Sequence, residues 1–321
     1  MLPAGYTLRA ARLEDAQATA DLINACELLD IGTPNTSAGA LRRIWRSPDH
    51  APDDSALVVA PDGRLVAALN RFPEGAHLVE FEAYTLPEAR GLGIGSALLD
   101  LVETEARERA RQTSPVPDVR LSTTVWSVNT GARELLERRG FTLVRRWERM
   151  LIEMSEPPEP PTLPAGVTIR AFVPGTDARR FAEAMEEAQA DEWGHIPLTW
   201  EQWRYYHIES IPNLDPSLYF VAEEGGEIIG GALCSWESQG DPEVGHVRYL
   251  AVRRPWRQRG VGMALVRTIF ATFYARGKRK VGLGVDADSL TRANVLYHRA
   301  GMRAINTTCI YDKILVASAE A

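Results

Sequence analysis

Cysteine is scarce in this chain. Cys26, Cys234 and Cys309 are its three, far apart and without metal-ligand spacing. That sets aside a disulfide scaffold and a thiolate metal site, and the thiols read as small core residues rather than nucleophiles. The six histidines show no zinc spacing either, so no metal is expected. Basic residues are in deficit: the formal net charge is -7, which gives no overall support for binding nucleic acid and leaves room only for a local patch. No apolar run approaches the roughly 20 residues that span a bilayer. The opening Met1-Leu2-Pro3-Ala4-Gly5-Tyr6 lacks the basic and apolar regions of a signal peptide. The expected setting is a reducing cytoplasm, with oligomeric state left open.

What is present is a repeat. Hydrophobic residues at 45% and charged residues at 25% suit a soluble globular chain, and 321 residues suffice for two cores. Leu2-Pro3-Ala4-Gly5-Tyr6-Thr7-Leu8-Arg9-Ala10 returns as Leu163-Pro164-Ala165-Gly166-Val167-Thr168-Ile169-Arg170-Ala171, an offset of 163 − 2 = 161. Between the halves lies Ser155-Glu156-Pro157-Pro158-Glu159-Pro160-Pro161-Thr162, whose proline density favours an extended, semi-rigid spacer. The expected division is a first domain over 1–154, a linker over 155–162 and a second domain over 163–321.

Each half reads as the same succession. Alternating strands near Tyr6 to Ala10 and Thr168 to Ala171 are followed by two helical stretches. A hairpin follows, turning at Pro61-Asp62-Gly63 in one half and Glu224-Gly225-Gly226 in the other. Then come a strand, a glycine loop, a long helix, a strand, a short helix and a closing strand. The fold class is α/β, each half a mixed central sheet with helices on both faces.

The glycine loops carry the strongest signal. Arg90-Gly91-Leu92-Gly93-Ile94-Gly95 follows the strand residues Glu80 to Thr85 and opens into a helix at Ser96. Arg257-Gln258-Arg259-Gly260-Val261-Gly262 follows Tyr249-Leu250-Ala251-Val252 and opens into one at Met263. Both read Arg-x-x-Gly-x-Gly. The offset here is 257 − 90 = 167, so the second half gains six residues before its loop and loses them again by Gly301, since 301 − 140 = 161. A strand, glycine turn and helix can be only a tight connection. Equally, unpaired amides at a helix N-terminus can cradle an anion, with Arg257 and Arg259 adding positive charge. A P-loop is excluded because Lys-Ser/Thr is missing after the last glycine, and the dinucleotide fingerprint fails at Leu265.

This pattern resembles the GNAT superfamily of N-acetyltransferases, whose loop is (Arg/Gln)-x-x-Gly-x-(Gly/Ala) between a central strand and a helix. The superfamily's second element, a helix ending in aliphatic-Tyr-x-x-x-Gly-(Phe/Met), is matched by Leu296-Tyr297-His298-Arg299-Ala300-Gly301-Met302. The first half has Leu135-Leu136-Glu137-Arg138-Arg139-Gly140-Phe141 there. A tandem pair with one stronger site resembles the mycothiol synthase-like branch. The resemblance implies acetyl-CoA as co-substrate. Its pyrophosphate would be held by amides of Gly91, Leu92, Gly93, Ile94, Gly95 and Ser96, and of Gln258, Arg259, Gly260, Val261, Gly262 and Met263. The flanking residues implied are Ala83, Tyr84, Thr85, Arg90 and Asn129 in the first half, and Leu250, Ala251, Val252 and Arg257 in the second. The acceptor expected is a small-molecule amine.

Transfer of an acetyl group to an amine needs a neutral nucleophile, a route for its proton and an acid for the leaving thiolate. Tyr297 stands at the tyrosine position and is the candidate acid, while Leu136 is its aliphatic counterpart. Glu82 lies on the first central strand as a candidate base, and Tyr249 occupies its place in the second half. His246, Glu243, a water chain or an acceptor arriving neutral remain open for the second half. The run Trp200, Trp203, Tyr205, Tyr206, His207 reads as core before it reads as a ligand box, and Asp191, Glu192 and His195 are acceptor-side candidates. Neither half carries both partners, so a transferase centred on the second half stands beside a CoA-ester sensor with little turnover.

Overall fold

The computed structural model describes residues 1–321 apart from 35, 47–53, 114–117, 212–213, 239–240, 290 and 316–321. The chain forms two compact units, Met1–Arg146 with Asn306–Ala321, and Trp147–Ile305. This differs from a division at 154 and 163. Residues 147–154 belong with the second unit, and the final strand belongs largely with the first.

In the first unit, β1 (Thr7–Ala10), β2 (Ser55–Val59), β3 (Leu65–Glu74) and β4 (Leu78–Thr85) pair antiparallel in order, and β4 pairs β5 (Val119–Trp126) in parallel. The next place is taken by the last strand of the chain, Arg303–Leu315. Its residues Thr308 to Leu315 run antiparallel to β5 from Trp126 to Val119. Cys309, Tyr311 and Leu315 point into the first core, each at most 2% exposed. The Tyr311 hydroxyl donates to Glu137 at 2.7 Å and accepts from Arg133 at 3.2 Å. Lys313 bonds Glu103 at 2.9 Å.

The second unit repeats the plan. The strand β6 (Thr142–Glu153) comes from the first repeat, and its residues Trp147 to Glu153 pair antiparallel with β11 (Lys280–Asp286). β7 (Val167–Ala171), β8 (Tyr219–Glu224), β9 (Glu227–Ser235) and β10 (Val244–Val252) form the antiparallel part, and β10 pairs β11 in parallel. Labelled in order, the last strand is β12. A closing strand alternates in the same way whichever neighbour it joins, which is why β6 and β12 show their partners only in three dimensions.

Helices cover the sheets: α1 (Ala16–Ile31), α2 (Ala38–Trp45), α3 (Ile94–Arg111) and α4 (Thr130–Arg138) in the first unit, and α5 (Pro174–Gln189), α6 (Trp200–Arg204), α7 (Val261–Ala275) and α8 (Ala293–Arg299) in the second. α3 and α7 bury Leu98, Leu99 and Val102, and Leu265, Val266, Ile269 and Phe273, respectively. Each such side chain contributes about 1.5–3 kcal/mol on leaving water. That burial fixes the helix N-termini at the ends of β4 and β10. Among the described residues no helix is long and apolar enough to cross a membrane.

Candidate active site

The two loops share one backbone. Gly91 (φ 79°) and Gly93 (φ 87°) match Gln258 (φ 61°) and Gly260 (φ 91°), with left-handed residues alternating with right-handed ones. Such alternation turns successive N–H groups toward one side. Gln258 holds this conformation without being glycine, at a cost on the order of 1 kcal/mol. Apart from bonds within α3 and α7, none of the amides from Gly91 to Ser96 or Gln258 to Met263 has a backbone partner among the described residues. A Cβ on Gly91 or Gly93 would meet nothing within 4 Å, so the space in front of the first loop is open.

The final glycine of each motif has another task. A Cβ on Gly95 would lie 2.9 Å from Leu135 of α4, and one on Gly262 would lie 3.1 Å from Leu296 of α8. These residues let α3 approach α4 and α7 approach α8. The second pairing sets α8, which carries Tyr297, against the first turn of α7.

The arginines are engaged with protein. Arg257 donates to both carboxylate oxygens of Asp191 at 2.6 and 2.9 Å, and to the carbonyls of Val252 at 2.9 Å and Ala188 at 2.7 Å. It ties the loop to the end of α5 and holds the Asp191 carboxyl down at about 2. Arg90 does the same more loosely, reaching the Thr85 carbonyl at 3.3 Å and Asp30 at 3.6 Å. Asp30 and Asp191 are related by 191 − 30 = 161, an equivalence the sequence contained. Arg259 pairs with Glu224 at 2.5 Å. Hence Arg257 shapes the cradle, where the sequence suggested mobile charge beside it. Asn129 is likewise occupied: its side chain accepts from the Ala132 amide at 3.1 Å, capping α4, and donates to Asp30 at 3.0 Å.

Beside each loop the sheet opens. β4 and β5 pair only from Leu78 to Phe81, and β10 and β11 only from Val244 to Val247. Beyond that the parallel strands part, freeing backbone groups along Glu82, Ala83, Tyr84 and Thr85 in one unit and Tyr249, Leu250, Ala251 and Val252 in the other. In the second unit the register against β9 shifts between Val247 and Tyr249, so Arg248 is an extra residue, and the added twist turns β10 away from β11. The first unit parts without a shift in β4. An open strand edge leading to a ring of free amides fits an extended amide-bearing chain that ends in a diphosphate.

Tyr297 is 6% exposed and packs in the core of the second unit. Burial, then Glu192 and Cys234, push its pKa well above the ordinary tyrosine value, so it keeps its proton. Leu136, at the matching place in α4, is 4% exposed and wholly in the core. Glu82 is exposed, and desolvation, then Glu80, raise its carboxyl. Desolvation, then Asp191, raise that of Glu192.

Of the other candidates, Glu243 precedes β10, six residues and roughly 20 Å along the strand from Tyr249. His246 sits opposite Gly282 in the ladder, its ring meets the Gly282 backbone, and burial, then Arg248 and Arg149, lower its pKa. His195 lies 3.3 Å from Glu186 and anchors the loop after α5. In the aromatic run, Trp203 is core at 1% exposure, while Tyr205 and Tyr206 are exposed. Among the described residues no group of three acidic, His or Cys side chains could hold a metal.

Comparison with known proteins agrees with this geometry. The model of the acetyltransferase (GNAT) family matches twice, over residues 21–141 and 182–302. The two matches are again offset by 161. The chain therefore belongs to the GNAT family of acetyltransferases and carries its domain in tandem. Among similar proteins are the mycothiol acetyltransferase of Geodermatophilus obscurus, 31% identical over 289 residues (87% of this chain and 88% of that protein), and that of Cellulomonas flavigena, 28% identical over 314 residues (92% and 85%). A GCN5-related N-acetyltransferase from Sphaerobacter thermophilus superposes with a TM-score of 0.84 at 34% identity, covering 100% of this chain and 99% of that one. A tandem GNAT protein from the clavulanic acid biosynthesis pathway shares the fold, with a TM-score of 0.73 at 16% identity and 98% and 100% coverage.

Proposed function

We propose that this protein transfers the acetyl group of acetyl-CoA to a small-molecule primary amine, and that the second unit is the main active site. The observation that carries the assignment to the second unit is the buried, protonated Tyr297 on α8, against Leu136 on α4. The amides of Gln258 to Met263 hold the diphosphate, and the open edge of β10 from Tyr249 to Val252 takes the pantetheine arm. The amine attacks the thioester carbonyl directly, a C–N bond forms, the C–S bond breaks, Tyr297 gives its phenolic proton to the sulfur, and the proton lost by the nitrogen restores the phenol. The first unit keeps a cradle and Glu82 but has no phenol at the sulfur, so it binds a CoA ester with little turnover. The relatives named for mycothiol favour a small polar acceptor. Three buried, unpaired cysteines favour a reducing cytoplasm.

The test is thiol release from acetyl-CoA across a panel of primary amines, with Tyr297→Phe and Leu136→Tyr alongside. Turnover that falls in Tyr297→Phe supports the assignment. Unchanged turnover there, with a gain in Leu136→Tyr, moves the active site to the first unit. Acetyl-CoA binding with no release under any amine turns the protein into a sensor.

A further inference from the structure

The second unit lacks a strand carboxylate where the first has Glu82, and the chain offers another group at that place. His207 lies in a single π-helical turn, Tyr205–Glu209, that continues α6, with the Ser210 amide bonded to the Tyr205 carbonyl at 2.9 Å. The Tyr219 hydroxyl donates to the His207 carbonyl at 2.8 Å, drawing it out of an ordinary helical ladder. The imidazole is packed edge-on against Tyr249 at 5.1 Å between centroids, and against Trp203 at 5.0 Å. Tyr249 is the residue aligned with Glu82 through the loops (249 − 82 = 167). His207 is 6% exposed, and its Nδ1 is buried without a hydrogen-bond partner among the described residues. A buried ring nitrogen left without a partner is destabilising, and such a group calls for a use.

We propose that His207 Nδ1 accepts the proton of the amine acceptor in the second unit, filling from the helix the place that Glu82 fills from the strand. This rests on the second unit being the transferase. The amine nitrogen attacks the thioester carbon and the C–N bond forms. Its N–H proton passes to Nδ1, and the C–S bond breaks as Tyr297 protonates the sulfur. The imidazolium proton then returns to the Tyr297 phenolate through water, leaving one amide and one thiol.

The surroundings keep the ring neutral. Burial, then the Arg248 guanidinium, hold its pKa down to about 4. Arg248 of β10 is the charged group acting on it. The other packed elements present Trp203 from α6, Tyr249 from β10 and the Tyr219 hydroxyl from β8. A neutral imidazole does not repel an incoming amine, and it faces a nitrogen that becomes strongly acidic once the new bond forms.

The test takes the amine that turns over best on the wild-type chain and compares His207→Gln with His207→Phe. Glutamine still accepts a hydrogen bond but holds no proton. His207→Gln is expected to lose about 10²-fold or more in kcat with acetyl-CoA affinity and the KM for the amine little changed, whereas His207→Phe also raises that KM. Adding Tyr249→Glu to His207→Gln should restore at least tenfold of the loss. A His207→Gln enzyme within threefold of wild-type kcat overturns the proposal while leaving the transferase reading intact. A wild-type chain that acetylates no amine sinks the transferase reading first. Should His207→Gln not fold, imidazole ¹⁵N resonances of the wild-type chain decide. They are followed with the amine and an acetyl-CoA analogue bearing CH2 in place of sulfur, and an Nδ1 signal unmoved by the amine overturns the proposal.

Discussion

Removing the Arg257–Asp191 clamp separates two roles for the motif arginine. Two charge-assisted bonds join side chains that are 23% and 20% exposed, and Arg257 also holds two carbonyls. Charged hydrogen bonds contribute about 1.5–3 kcal/mol each when sheltered, and partial exposure reduces this, so a coupling energy of about 2 kcal/mol is expected for Arg257→Gln and Asp191→Asn. The same cycle on Arg90 and Asp30, whose single contact is 3.6 Å, should give under about 1 kcal/mol. The pH dependence follows from the depressed carboxyl. Asp191 lies near 2 against an ordinary 3.8, which after solvent screening contributes on the order of 1–2 kcal/mol. Because the folded value is the lower one, this stability is full above about pH 4 and is lost as pH falls through 3.8 toward 2. The gap between wild type and Asp191→Asn should close over that window. Urea unfolding followed by tryptophan fluorescence reads the second unit, since six of the eight tryptophans fall within Trp147–Ile305. Calorimetry gives acetyl-CoA affinity at low and high salt. If the coupling is near zero while Arg257→Gln alone abolishes a steep salt dependence of acetyl-CoA binding, then Arg257 is a free phosphate contact and the clamp is incorrect.

Glycine substitutions should part according to what each glycine does. Gly260→Ala forces an alanine to φ 91° with its nearest obstacle 3.7 Å away, so it costs about 1–2 kcal/mol of stability in denaturant titration by backbone strain alone. Gly262→Ala instead presses on Leu296 and displaces α8, and should lower kcat by about tenfold or more with a smaller loss of stability. Deleting Asn306–Ala321 removes the strand beside β5 and the burial of Cys309, Tyr311 and Leu315. At about 1.5–3 kcal/mol per large side chain, the first unit should lose protection in hydrogen exchange while the second keeps most of its own.

Much of this fold was legible because the governing signals are local. Glycine pairs, alternating strands and the doubled loop placed β4, α3, β10 and α7 to within a few residues, and Arg-x-x-Gly-x-Gly marked the helix N-termini whose amides are free. Long-range pairing escaped. Nothing in residues 142–153 says that they lie beside β11 rather than β5, because an alternating strand satisfies either neighbour. The use of Arg257 was hidden for the same reason: its partner Asp191 is 66 residues away. The repeat offset of 161 relating Asp30 to Asp191 was the available clue. The role of the last glycine was likewise invisible until Leu135 and Leu296 were seen against it.

The two units differ at complementary places, and the fold explains how each difference is tolerated. Leu136 packs in the first core where Tyr297 brings a phenol into the second, so on the proposed reading one substitution on a short helix decides which unit has an acid. On the strand, desolvation and Glu80 raise the carboxyl of Glu82, and Tyr249 in the same place packs against the ring of His207. The cradle amides and the parted strands are backbone groups held in place by few side chains, Arg257 and Asp191 among them, so they tolerate most other side-chain change. Proton-handling groups depend on single side chains, and those are free to diverge once one unit carries the reaction. A scaffold of this kind preserves cofactor geometry longer than chemistry, so two bound acetyl-CoA molecules and a single sensitivity to Tyr297→Phe are mutually consistent expectations for one chain.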